Sequence, residues 1–140
     1  MKYSLNYQQL HDIDWFFQSN GTCYHVASNG GKLPLLVEKK RNIKLQELIE
    51  VTPFLISEKE IMVLKHDYDI NYNSFIQYAR KGFVSIDKIR DEFDAQNYQV
   101  IARPTKHIII PNEITQLIPK LEGFTLRITE IDRTEYNLNK

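Results

Sequence analysis

Residues 21–34 (GTCYHVASNGGKLP) concentrate the side chains that could do chemistry. They include the single cysteine of the chain, Cys23, and His25 two residues further on. Residues two apart on a strand share a face, so a thiol and an imidazole could meet in one pocket. Nucleophilic catalysis also needs a base and a group that orients it, and no cysteine-enzyme signature surrounds Cys23. We therefore favour partly buried sheet residues. The alternative is a small enzyme or metabolite-binding protein with a pocket that adds Arg103 or His107.

The segment Gly30-Gly31-Lys32 has the look of a phosphate-binding loop. That motif needs a glycine five residues before the Gly-Lys pair and a hydroxyl residue after it, where this chain has Val26 and Leu33. A turn with positive φ at Asn29 or Gly30 is the favoured interpretation. Loops on rigid strands often carry recognition, so a set of candidate binding residues is still predicted here. It comprises Asn29, Gly30, Gly31, Lys32, Tyr24 and His25.

Metal ligands are not clustered in the sequence. His11, His66 and His107 are scattered, and HDYDINYN resembles the start of a calcium loop but has Tyr72 and Tyr78 where glycine and glutamate are required. The sequence predicts no metal site, no cofactor and no catalytic residue.

Length and charge limit the class of protein. The chain has 140 residues, 42% of them hydrophobic, and a formal net charge of zero, which indicates one domain with a real core and makes nucleic-acid binding unexpected. No apolar run approaches the ~20 residues that span a bilayer, so no membrane insertion is expected. One cysteine and an N-terminus without an apolar signal segment favour the cytoplasm.

The patterning predicts the elements that must hold these residues. Alternation predicts a β-hairpin over 13–28, and i, i+3, i+4, i+7 spacing predicts a helix after Asn71 that ends at Gly82. A shorter helix with Asn42 as N-cap is expected before Pro53. Residues 57–65 suit a helix or a strand, with a slight preference for the helix. Further strands are expected at 83–86, 98–103, 106–110 and 124–131, with a helical turn after Asn112 and a frayed tail at 132–140.

These elements predict an α+β class: a single domain, residues 1–140, with a mixed or antiparallel sheet. The N-terminal β-hairpin of that sheet is expected to pack against two or three helices. We also expect Trp15, Tyr72, Phe75 and Ile76 to share one core with Phe124, Leu126 and Ile128.

The pieces DIDWFF, HVASNGGKLP and YARKGF resemble small, uncharacterised bacterial proteins found beside secreted toxins, some of which act as immunity proteins. The resemblance covers about a third of the chain and implies no catalytic residue. It implies a protein partner. Eight tyrosines are consistent with such a role, because tyrosine gives large contact area with a polar tip. The resulting prediction is a non-catalytic cytoplasmic protein-binding protein that inhibits a toxin by covering its active site.

Overall fold

The computed structural model describes residues 1–64, 71–121, 125–130 and 135–138. Over these residues the chain is an α+β domain with one mixed sheet, as the patterning predicts. The helices are α1 (Leu5–Leu10), α2 (Lys39–Glu50), α3 (Tyr72–Arg80) and α4 (Asn112–Thr115). The strands are β1 (Asp14–Ser19), β2 (Thr22–Ala27), β3 (Ile61–Val63), β4 (Val84–Lys88), β5 (Asn97–Pro104), β6 (Leu126–Thr129) and β7 (Glu135–Leu138).

The sheet runs in the order β1-β2-β4-β5-β6-β7, and β3 also pairs with β5. The β2–β4 and β5–β6 pairs are parallel, and the other pairs are antiparallel. The hairpin turn between β1 and β2 has positive φ at Asn20 and Gly21, which matches the right-handed twist of the strands. The predicted N-terminal hairpin is confirmed.

Side chains of β1 divide the core between the two faces of the sheet. Trp15 and Phe17 point into one cluster with residues of β2, β4, β5 and β6. Phe16 points to the opposite face, which α2, α3 and α4 cover. We call this the helical face.

This division corrects the single core expected from the sequence. Trp15 packs with Leu126 and Ile128, whereas Phe75 of α3 packs on the helical face. Period-2 alternation identifies two faces of a strand but not which one a helix will cover. Phe124 lies outside the described residues.

Helix α3 has the predicted ends. The side chain of Asn71 accepts a hydrogen bond from the Asn73 N–H, and Gly82 has φ +101°. Helix α2 begins earlier than predicted, because Glu38 caps it by accepting from the Arg41 N–H. Asn42 is not the N-cap but a buried residue within α2.

Residues 57–65 combine both of the predicted alternatives. Ser57 and Glu60 form a capping box around one 3-10 turn, Glu58–Glu60, and the chain then continues as β3. The preference for an α-helix was wrong. Lys65 lies outside the described residues, as do His66, Asp67 and Asp69.

Two predictions near the C-terminus also need correction. Residues 106–110 form no strand, because β4 and β3 already flank β5 at Ala102 and leave no edge for a returning strand. Within the segment expected to fray, Glu135–Leu138 forms β7 and pairs with β6, since the open edge of β6 offers backbone partners. The other residues of 131–140 lie outside the described part of the chain.

Candidate functional site

The predicted loop at residues 29–32 is tied down by hydrogen bonds. Asn29 (φ +47°) donates its N–H to Asp12 and its side-chain amide to the Lys88 carbonyl. A Cβ on Gly31 would lie 2.2 Å from the Lys88 side chain, so only glycine fits there. The predicted positive φ is present at both Asn29 and Gly30. This turn packs the loop against Lys88 and leaves the Lys32 side chain exposed.

Tyr24 and His25, the other candidate binding residues, point to opposite faces of the sheet. Tyr24 stacks on Phe17 with ring centroids 4.6 Å apart. His25 is fully buried on the helical face and stacks on Tyr78 of α3 with centroids 3.7 Å apart. The structure therefore does not bring Tyr24 and His25 to one surface.

His25 is the centre of a buried hydrogen-bonded network. Its Nδ1 lies 2.5 Å from the Ser85 Oγ, and its Nε2 lies 2.7 Å from the Asp14 Oδ1. An ionised carboxylate can only accept, so Nε2 carries the proton and donates it to Asp14, and Nδ1 accepts from the Ser85 hydroxyl. Serine, histidine and aspartate thus form a chain of the kind seen in serine hydrolases.

The strand register produces this arrangement. His25 of β2 pairs directly with Ser85 of parallel β4, and Asp14 lies diagonally across from His25 on antiparallel β1. The sequence singles out His25 but neither partner. Ser85 is 60 residues away, and a parallel pairing across a long crossover has no local sequence signal.

Accessibility argues against nucleophilic catalysis by this chain of residues. Ser85 is fully buried between the sheet and α3, whereas the Asp14 side chain is 42% exposed. A substrate can therefore reach the carboxylate but not the hydroxyl. The member of the network that can meet a ligand is Asp14.

Asp14 opens into a cavity of about 330 Å³ between α2 and α3. Every residue that lines it has a polar or charged side chain: Asp14, Gln46, Glu50, Ser74, Gln77, Tyr78 and Lys81. Burial and the charges of Asp14 and Glu50 raise the pKa of Tyr78, which keeps the phenol protonated. We call this the α2–α3 pocket.

Cys23 does not line the α2–α3 pocket. It lines two other cavities, of about 280 and 440 Å³, on either side of His107 and Ile108. Arg103 and His107 do line the smaller cavity with Cys23, so the predicted pocket forms in part but without His25. Burial raises the pKa of the Cys23 thiol to about 11, which leaves little thiolate at neutral pH.

Residues 106–110 pass between these two cavities. Their backbone makes no hydrogen bond to the described residues of the chain, although 107–110 read His-Ile-Ile-Ile. Ile110 is buried against Gly82, while the Ile109 side chain is 84% exposed. We call residues 106–110 the open segment.

Metal and membrane features can be assessed over the described ranges. No cluster of three or more His, Cys, Asp or Glu side chains suited to a metal ion occurs there. None of the helices there is long and apolar enough to cross a bilayer.

Comparison of this chain with protein-family models, curated proteins and solved structures finds no match.

Proposed function

We propose that this chain is a non-catalytic, cytoplasmic protein-binding protein that presents the open segment to a partner. The observation that carries the proposal is the unpaired backbone of residues 106–110 together with their β-branched sequence. Such residues favour strands, and an extended peptide can supply the missing main-chain hydrogen bonds by adding as a strand. Exposed Ile109 then offers an apolar contact to the partner.

Charge defines the chemistry of this partner. Arg103, Lys106 and His107 line the cavity beside the open segment, and no acidic residue lines it. Lys106 lies 3.6 Å from Glu60, but its side chain is 70% exposed, so that ion pair is weak and leaves the ammonium open to a second partner. The occupant that we propose is an extended acidic segment of another protein.

The non-catalytic part of the proposal follows from the two possible nucleophiles. Cys23 is buried and protonated, and Ser85 is fully enclosed. Since neither can attack a bound molecule, binding is the role that this geometry supports. The resemblance to toxin-associated immunity proteins motivates a more specific proposal, in which the partner is a bacterial toxin whose active site becomes covered.

The test uses the purified product of the adjacent open reading frame, titrated calorimetrically against this protein. We expect Ile109→Asp to weaken binding at least tenfold, because it places a negative charge against an acidic segment. Leu35→Asp is the matched control, since Leu35 is also 84% exposed. Its affinity should stay within twofold of the unchanged protein.

Amide hydrogen exchange on the same complex locates the contact. The amides of residues 106–110 should exchange quickly in the free protein and become protected in the complex. Binding without this protection would overturn the open segment as the contact surface. Absence of any binding, or of growth protection when the two genes are expressed together, would overturn the immunity role.

A further inference from the structure

The α2–α3 pocket is built differently from the surface around the open segment and shares no lining residue with it. Its volume of about 330 Å³ is that of a small-molecule site. Two lining residues carry negative charge, Asp14 and Glu50, and one carries positive charge, Lys81. A ligand that matches both signs would carry an ammonium and a carboxylate.

The carboxylate of Asp14 is held in place from behind. His25 Nε2 bonds one of its oxygens at 2.7 Å, and the main-chain carbonyl of Asp14 accepts from the side chains of Asn42 and Gln46 on α2. A fixed carboxylate that remains 42% exposed can accept hydrogen bonds from a ligand without reordering.

The ammonium of Lys81 is fixed at the opposite end of the pocket. It donates to the carbonyls of Ile49 and Glu50 at 2.8 and 3.2 Å, which caps the C-terminal end of α2. A lysine has three N–H donors, so one remains for a ligand. The α2 contacts of Asp14 and Lys81, at Gln46 and Glu50, are one helical turn apart, ~5.4 Å along the axis.

We propose that the α2–α3 pocket binds a small zwitterion of the amino-acid class. The ligand ammonium lies between Asp14 and Glu50, and its carboxylate meets the free N–H of Lys81. The side chains of Ser74 and Gln77, both exposed on α3, supply neutral hydrogen bonds to the remainder. No covalent step is involved.

The test is a calorimetric and NMR titration of the protein with glycine, alanine and glutamine, each beside ethylamine and propionate. We expect at least one amino acid to bind with a dissociation constant below about 1 mM and at least tenfold tighter than either singly charged probe. Ethylamine or propionate binding as tightly as the amino acids would overturn the zwitterion class. No amino acid binding at 10 mM would overturn the site.

Variants assign the binding to this pocket. Asp14→Asn should weaken it at least tenfold, with unfolding by heat recorded to detect a damaged fold. Glu50→Gln tests the same charge without touching His25, because its side chain makes no hydrogen bond to the described residues, and it should weaken binding at least threefold. Glu47→Gln, one turn earlier on the exposed surface of α2, is the control and should leave affinity unchanged. Equal affinity in all three variants would place the ligand elsewhere.

Discussion

At the scale of single residues, His25 has a partner for each polar atom of its ring. Ser85 and Asp14 satisfy the two ring nitrogens, and Tyr78 covers one ring face. A buried polar group is tolerable only while its hydrogen bonds are made. The network therefore contributes to stability as a unit and orients Asp14 toward the α2–α3 pocket.

Ser85→Ala tests the value of this network. The substitution leaves His25 Nδ1 buried without a donor, so we expect a loss of about 1–3 kcal/mol in the free energy of unfolding. Urea denaturation measures it. Ser74→Ala, on the exposed surface of α3, is the control and should change stability by no more than about 0.5 kcal/mol. Equal effects in the two variants would mean that the Ser85 hydroxyl is not needed by His25.

At the scale of elements, α3 and the strand after it depend on the turn at Gly82. The φ of +101° is unfavourable for a residue with a Cβ, and a Cβ built there lies 2.8 Å from the Ile110 Cγ1. The turn thus has two reasons to be glycine: its backbone conformation and the close passage of the open segment.

Gly82→Ala should therefore cost more than backbone strain alone. We expect a loss of about 2–4 kcal/mol, of which about 1 kcal/mol is conformational and the remainder is overpacking. Gly21→Ala separates the two causes, because Gly21 has φ +80° but nothing within 4 Å of its built Cβ. It should lose about 1 kcal/mol. Equal losses in chemical denaturation would contradict the contact with Ile110.

The elements that sequence could predict are those with a local signal. Both strands of the N-terminal hairpin and the caps of α3 follow from alternation, Asn-Gly turn chemistry and helix periodicity. Residues 106–110 have the composition of a strand but no free sheet edge to join, which depends on β3 and β4 rather than on local sequence.

The candidate site was less predictable than the fold. His25 was identified by its residue type, but its separation from Cys23 and its pairing with Ser85 come from the parallel register of β2 and β4. The α2–α3 pocket gathers residues from one strand and two helices, none of which belongs to a recognisable motif. Such convergence is a property of the tertiary fold and has no period in the sequence.

At the scale of the whole molecule, the two faces of the sheet differ in chemistry. One face carries the large apolar cluster around Trp15, and the helical face carries smaller clusters together with buried polar groups. Asp87 of β4 is one of these groups, 8% exposed and near Asp12 and Arg90. Its ionisation links the stability of the whole fold to pH.

Burial, reinforced by the negative charge of Asp12, raises the pKa of Asp87 from 3.8 to about 7. Between about pH 4 and 7 the folded chain therefore holds a proton that the unfolded chain has released. The free energy of unfolding must fall as pH rises through this window, because the unfolded state binds fewer protons there. Above pH 7 this contribution becomes constant.

Asp87→Asn should remove this dependence, since an amide has no proton to release. At pH 8 we expect the variant to be more stable than the unchanged protein by roughly 1–4 kcal/mol, with a difference close to zero at pH 4. Urea denaturation at pH 4, 6 and 8 measures the difference, and Asp94→Asn, at an exposed position, is the control. A stability difference that stays constant from pH 4 to 8 would show that Asp87 ionises in the folded protein as it does in the unfolded chain.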